Sequence, residues 1–250
     1  MPADADPRLE QHRQLWERKT GLRAVYSDYH RRLVKAVGDR GRVLDIGSGS
    51  GHLRDVAPSI DSTTIDILPA PWVDVQADAH ILPFADASFD GMVMLDVLHH
   101  LERPAVFFDE ALRVLKPGGR IAMMEPGMSL LARQFYTYLH EEPVDMTADP
   151  LSMDTADPDR DPFDSNQAIP TLLFKRKAIS ARFAQRFPDF DIVENRWLSL
   201  FAYPMSGGFK SWSLVNGGMA QTLIGLEDLV LPVLGPLMGF RLFTVLEKKT

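Results

Sequence analysis

The 250-residue chain contains no cysteine. That absence removes disulfides, thiolate metal ligands and a cysteine nucleophile, and it agrees with a reducing compartment. An excess of positive charge is missing too. The formal net charge is −7 at pH 7, so the chain lacks the electrostatic footprint of a nucleic-acid binder. Most of that charge is local. Residues 141–164 carry nine acids against Arg160 alone, and the remainder is close to neutral. Long apolar runs are scarce: LVLPVLGPLMGF (Leu229–Phe240) is broken by Pro232, Gly235 and Pro236 and falls short of a bilayer span. The N-terminal stretch MPADADPRLEQHRQ is charged and has no apolar h-region. Together these features predict a soluble, cytoplasmic protein with enough apolar residues, 45% of the chain, for one sizeable core.

What is present is an alternation. Apolar residues at helical spacing (Leu15, Leu22, Val25, Tyr29, Leu33, Val37) predict one or two N-terminal amphipathic helices. Short apolar strands follow in RVLDIG, STTIDI, WVDVQAD, FDGMVMLDVL and RIAMMEP. Helical segments stand between them, HLRDVAP and RPAVFFDEALRVLKPGG, the second closed by Lys116, Pro117 and Gly118. Beyond Glu125, SLLARQFYTYLH and TLLFKRKAISARFAQRF each read as a helix, FDIVENRWL as a strand, Leu214–Gly239 as a helix with breaks, and FRLFTVLEKK as a last strand. Strands alternating with helices predict a doubly wound, Rossmann-like α/β sheet. One domain is expected: a helical segment at 1–40, a core at 42–126, an acidic insert at 127–170 and a C-terminal half at 171–250.

The stretch RVLDIGSGSGHL (Arg42–Leu53) holds the sharpest signal. In an open parallel sheet ligands sit at the carboxyl ends of the strands, and glycines let the backbone turn there and approach the ligand. A phosphate loop needs Lys and then Ser or Thr after its last glycine, but His52 and Leu53 follow Gly51. A dinucleotide fingerprint counted from Gly47 and Gly49 would place bulky His52 where its third glycine belongs.

Four stretches in register resemble the class I S-adenosylmethionine-dependent methyltransferases, in particular the type 11 branch. VLDIGSGSG (Val43–Gly51) looks like that family's first motif, and TIDI ends its second strand at Asp66. QADAHILPFADASFDGMVMLDVLHHL (Gln76–Leu101) and EALRVLKPGGRI (Glu110–Ile121) are similar to its later ones. The resemblance covers about Arg42 to Pro126 and implies a seven-stranded sheet, mostly parallel with the last strand antiparallel.

It also implies the roles of individual residues. Gly47, Ser48, Gly49 and Gly51 would close around the methionine part of the donor, S-adenosylmethionine, and Asp45 would organise the loop and meet the ammonium. Asp66, with Ile67 beside it, would accept the ribose hydroxyls, whose geometry suits a carboxylate. Asp78 and Ala79 would meet the adenine, and Leu95 and Asp96 would lie under the sulfonium. S-adenosylhomocysteine would be the product.

The acceptor is less legible. Methyl transfer is an in-line displacement that positioning alone accelerates strongly, so it need not leave a base motif. Candidate bases are His99, His100, His140, Glu141, Glu142 and Glu125, with His140, His100 and Glu141 taken as the catalytic set. Asn166 or Gln167 would reach a polar acceptor. No metal site is expected: H-E-x-x-H is absent, and adjacent residues such as His140 and Glu141 point to different helix faces. Residues 141–164 read as a solvated lid. The fourth strand ends in LDVL where base-amino methyltransferases carry N/D-P-P-Y, which argues with the charge against nucleic acid. The expected acceptor is a small molecule, a saccharide or a lipid-linked compound, methylated at oxygen, with peripheral membrane contact through Met219–Phe240 as an option. Two rival readings stay open: a donor-binding scaffold without catalysis, and a nicotinamide-dependent oxidoreductase.

Overall fold

The computed structural model describes residues 4–38 and 41–250; the ends of the expected 1–40 segment lie outside them. Two helices open the chain, α1 (Pro7–Arg18) and α2 (Thr20–Val37). The Asp6 side chain caps α1 by accepting the Arg8 N–H, and Pro7 stands at its first turn, where no backbone donor is needed. The strands are β1 (Arg42–Ile46), β2 (Asp61–Asp66), β3 (Val75–Gln76), β4 (Phe89–Leu95), β5 (Leu115–Pro126), β6 (Phe190–Leu198) and β7 (Arg241–Lys248). They form one sheet of order β3-β2-β1-β4-β5-β7-β6. The first five run parallel, and β7 lies antiparallel between β5 and β6. This is the doubly wound sheet, with its antiparallel last strand, that the sequence motifs imply.

Apolar residues cover the sheet on both sides, as parallel strands require. One cluster joins Leu44, Met92 and Ile121 to Phe107 and Phe108 of α4 (Pro104–Val114) and Phe183 of α7 (Lys177–Arg186). The other joins Val43, Val93 and Phe243 to Leu22, Val25 and Leu33 of α2 and Leu231 of α9 (Gly217–Met238). Short helices α3 (Leu53–Val56) and α8 (Ala202–Ser206), with α5 (Leu130–Leu139) and α6 (Ile169–Lys175), complete the order.

Three local expectations are corrected. The segment 171–187 is two helices, because Arg176 takes an extended conformation between α6 and α7 with no Gly or Pro to announce it. The helix before β5 ends at Val114, and Lys116–Gly119 already belong to the strand. The largest correction concerns the C-terminal apolar segment. Pro232 and Pro236 lie inside a continuous 22-residue α9, long and apolar enough by length and composition to cross a membrane. Each proline removes one helical hydrogen bond, but the helix is held along one stripe (Ala220, Glu227, Leu231, Gly235) that is buried. Glu227 also accepts the N–H groups of Leu200, Phe201 and Ala202 and so caps the entry to α8.

Candidate functional site: a cavity at the carboxyl edge of the sheet

A cavity of about 1120 Å³ opens over the carboxyl ends of β1, β2 and β4, the place where open α/β sheets bind ligands. Its first wall is the loop after β1. Gly47 and Gly51 have φ of +61° and +77°, and a Cβ would lie 2.5 Å from Val97 Cγ2 at Gly47 and 2.4 Å from Trp72 Cδ1 at Gly51. No side chain fits at either position, so the loop presents bare backbone to the cavity. Asp66, at the end of β2, accepts the Gly49 N–H at 2.8 Å and the Leu68 N–H at 2.9 Å. Burial raises its pKa while the amides of Leu68, Gly49 and Ile67 oppose that rise.

Asp45 lines the same wall and makes no side-chain hydrogen bond to the loop among the described residues. Burial first, and then the charge of Asp66, push its pKa up to about 8. The Ser48 hydroxyl is buried without a partner. Asp78 accepts both the His80 N–H and a hydrogen bond from its ring at 2.6 Å, which hold its pKa low. Ile67, Ala79, Leu95 and Asp96 also face the cavity. The N-terminal helices close it from above: Trp16 stacks on His52 at 4.0 Å, and Tyr26 donates to Asp96 at 2.8 Å.

The far wall comes from elements distant in the sequence. A 3₁₀ turn, Leu98–His100, follows β4 and carries His99 and His100 with ring centroids 4.2 Å apart. His99 Nδ1 lies 2.7 Å from Glu125 Oε2, and Glu125 Oε1 accepts the N–H groups of Val97 and Leu98. Burial disfavours the charged imidazole of His99, but the hydrogen bond to Glu125 and the nearby Glu142 carboxylate outweigh it and raise its pKa to about 9. Burial and the neighbouring His99 charge lower His100 to about 4. His140 lies at the end of α5 and also lines the cavity. Glu141 sits at the rim, 85% exposed and paired with Lys210 at 2.6 Å.

Residues 141–164 do not stand off in solvent as a separate lid. Asp157 donates its N–H to Glu102, and Arg160 donates to the carbonyls of His100 and Asp164, so the insert is laid against the turn after β4. Asn166 turns back onto Asp145, whereas Gln167 reaches Glu142 and the cavity.

Several contributors carried no signal in the sequence, namely His12, Tyr26, Tyr203 and the fully buried Arg241. They come from α1, α2, α8 and β7, and no local spacing links them.

The groups present fit a nucleoside-bearing donor. A backbone cradle that side chains would fill, a buried hydroxyl lacking a partner and a strand-end carboxylate meet in one cavity. Comparison with known proteins agrees. Residues 44–123 match the family model described as a methyltransferase domain. A "Probable phthiotriol/phenolphthiotriol dimycocerosates methyltransferase 2" of Mycobacterium ulcerans is 36% identical over 110 residues, 38% of this chain and 43% of that protein. A ubiquinone/menaquinone biosynthesis C-methyltransferase of Ectopseudomonas mendocina is 35% identical over 121 residues, 39% of this chain and 47% of that protein. The chain thus spans under half the length of these two relatives. A solved SAM-dependent methyltransferase from Archaeoglobus fulgidus shares the fold, with a TM-score of 0.54 at 18% identity over 91% of this chain and 94% of that one. Residues 44–123 thus match a methyltransferase domain, and the chain has the fold of a SAM-dependent methyltransferase.

Proposed function

We propose that the protein transfers a methyl group from S-adenosylmethionine to a hydroxyl of a small acceptor that carries an apolar, lipid-like part. The observation that carries this reading is the continuity of the cavity. One space runs from the glycine loop, past Asp96 and His99, to a mouth edged by Leu139 and Trp212. Its about 1120 Å³ exceeds the roughly 300–1,000 Å³ of a site for one drug-sized ligand, leaving room for donor and acceptor together.

In this reading Gly47, Ser48, Gly49 and Gly51 hold the methionine tail, and Asp45 meets its ammonium. Asp66 and Ile67 hold the ribose, Asp78 and Ala79 the adenine, and Leu95 and Asp96 lie beneath the sulfonium. The bound donor supplies an electrophilic methyl group. The chain's own part is to place the acceptor oxygen in line, exclude water and take up the hydroxyl proton. His100 and His140 line the acceptor side, and burial lowers the pKa of both, so each stands neutral at pH 7 and free to accept that proton. Glu141 then acts at the entrance through Lys210.

The apolar character of the acceptor rests on the mouth. Leu139 and Trp212 are 74% and 48% exposed, and apolar side chains at an opening favour an apolar ligand. The names of the mycobacterial and quinone-pathway relatives are in keeping with this choice.

The test is transfer of labelled methyl from S-adenosylmethionine into separated polar and lipid fractions of a bacterial extract, with Asp66→Ala as control. Label entering an alkali-stable ether in the lipid fraction, and lost in Asp66→Ala, is the expected result. Measurable donor binding with no label in any fraction would favour a donor-binding scaffold and overturn the catalytic reading.

A further inference from the structure

We propose that His99, His100 and Glu142 form a binding site for a divalent first-row transition-metal ion in the acceptor-side wall of the cavity. One ligand atom from each residue lies within 4.8 Å of the other two. Ligand atoms about 2.0–2.2 Å from a common ion sit roughly 3–4 Å from one another, so side-chain adjustments that close these gaps by up to about 1–2 Å bring all three onto one ion.

The orientation of each ligand supports the assignment. His99 turns Nδ1 to Glu125 at 2.7 Å and leaves Nε2 facing Glu142 Oε2 at 3.7 Å. Glu125 is itself fixed by the amides of Val97 and Leu98. A carboxylate that fixes one ring nitrogen and frees the other is the outer shell that metal-binding histidines use. His100 keeps only a long 3.4 Å contact from Nδ1 to the Asp164 carbonyl. Glu142 is steadied by Ser165 Oγ at 2.9 Å and by Gln167 Nε2.

A second, independent observation points to a missing ligand. Gln167 is 2% exposed, lines the cavity, and its Oε1 is buried with no hydrogen-bond partner. A buried amide oxygen without a donor costs free energy, and it belongs to the side chain whose Nε2 meets Glu142, so the wall beside the cluster holds an unfilled polar position. Two imidazoles and a carboxylate favour zinc, iron, copper or nickel over magnesium, calcium or manganese, which prefer oxygen ligands. The ion would sit between His99 Nε2 and Glu142 Oε2, which stand 3.7 Å apart.

Sequence spacing could not show this site. The two histidines are adjacent, and Glu142 arrives from the far end of α5, so no metal-motif interval exists. Only the 3₁₀ turn sets the two rings side by side. If the methyl-transfer reading holds, an ion here would bind the acceptor oxygen and lower its affinity for its proton, and His140, not the ligating His100, would take that proton; the binding site itself does not depend on that reading.

The test needs neither donor nor acceptor. The chelator-treated full chain is titrated with Zn²⁺ by calorimetry and with Co²⁺ by visible absorption, which reports imidazole ligation. One ion per chain at micromolar or tighter affinity is expected. Glu142→Gln should abolish or strongly weaken binding, and Glu125→Gln, which removes only the outer shell, should weaken it about 10–100-fold. His12→Gln, another cavity histidine outside the cluster, should leave binding unchanged. Because His99 is buried, circular dichroism checks that His99→Gln is folded, and the half-buried Glu142 gives the decisive variant. No saturable ion, or binding indifferent to Glu142→Gln, would overturn the proposal whether or not the protein transfers methyl groups. Loss of methyl transfer with intact metal binding would instead count against the function alone.

Discussion

The guanidinium of Arg241 lies on the carboxylate of Asp96, joining the start of β7 to the end of β4 beneath the cavity. Arg241 is 1% exposed, and its ring neighbours are Tyr29 and Tyr203. Asp96 is held at φ +60°, a left-handed conformation, and its second oxygen accepts the Tyr26 hydroxyl. A non-glycine residue there costs about 1–2 kcal/mol, so Arg241 and Tyr26 hold Asp96 in a geometry it would not keep alone. Removing one member of a buried pair leaves the other charge uncompensated.

Arg241→Met should therefore lower stability by about 3–5 kcal/mol, read from urea unfolding. Adding Asp96→Asn to it should cost less than the sum of the two single changes, by roughly 0.5–3 kcal/mol. Strict additivity would mean that the pair contributes nothing of its own.

The glycine loop separates fold from ligand. Gly47→Ala and Gly51→Ala each combine a positive φ with a Cβ inside 2.6 Å of Val97 or Trp72. Gly49→Ala meets nothing nearer than the Gly47 carbonyl at 3.8 Å. The first two should lose more than the about 1–2 kcal/mol of conformational strain, and the third about that strain alone. Gly49→Ala should still bind S-adenosylhomocysteine poorly, because its new methyl group projects into the space given to the methionine tail. Calorimetry on a folded Gly49→Ala protein checks this, and unchanged affinity would place the tail elsewhere.

Asp45 should make both stability and donor binding depend on pH. Its pKa is pushed up to about 8 from near 3.8 in an unfolded chain. Burial, Asp66 and Asp74 raise it against Arg54. Between those two values the folded protein holds a proton that the unfolded chain has released. The contribution is therefore largest below pH 3.8 and is lost progressively as pH rises toward about 8, with a slope of at most about 1.4 kcal/mol per pH unit. Asp45→Asn should flatten the stability profile over that window. A donor ammonium against Asp45 would favour the carboxylate, so binding at pH 7 should release close to one proton. Calorimetry in buffers of different ionisation enthalpy counts it, and a count of zero would separate Asp45 from the ammonium.

Those features were not equally legible. The strands, the glycine loop and Asp66 could be read because each signal lies within one short element: an apolar run, a turn that needs bare backbone, a strand-end acid. The Arg241–Asp96–Tyr26 network joins residues from β7, β4 and α2, and only the sheet order together with the packing of α2 on the sheet brings them together. The same holds for Glu142 against His99. The continuous course of α9 was hidden for a different reason. Pro232 and Pro236 read as breaks on local propensity, yet burial of the Ala220–Gly235 stripe and the grip of Glu227 on the 200–202 amides override them.

That helix yields the last prediction. Its outer face carries Leu226, Leu229, Val230, Val233 and Leu237, all exposed, with Leu229 at 77% and Val233 at 79%. Its two acids are engaged elsewhere: Glu227 is buried on backbone amides, and Asp228 pairs with Arg32 of α2 at 2.6 Å. The outward surface of α9 is thus apolar without a cationic component of its own. A lipid acceptor would be met most easily by a protein resting this face on the bilayer, where each large side chain buried contributes about 1.5–3 kcal/mol. Leu229→Glu with Val233→Glu should leave stability within about 0.5 kcal/mol per site, as exposed positions do, while reducing cosedimentation with phosphatidylcholine–phosphatidylglycerol vesicles at least tenfold. Raising the salt should change binding of the parent chain little, because apolar burial is not screened as charge attraction is. Equal cosedimentation of parent and double variant would remove the membrane from the route by which the acceptor reaches the mouth at Leu139 and Trp212.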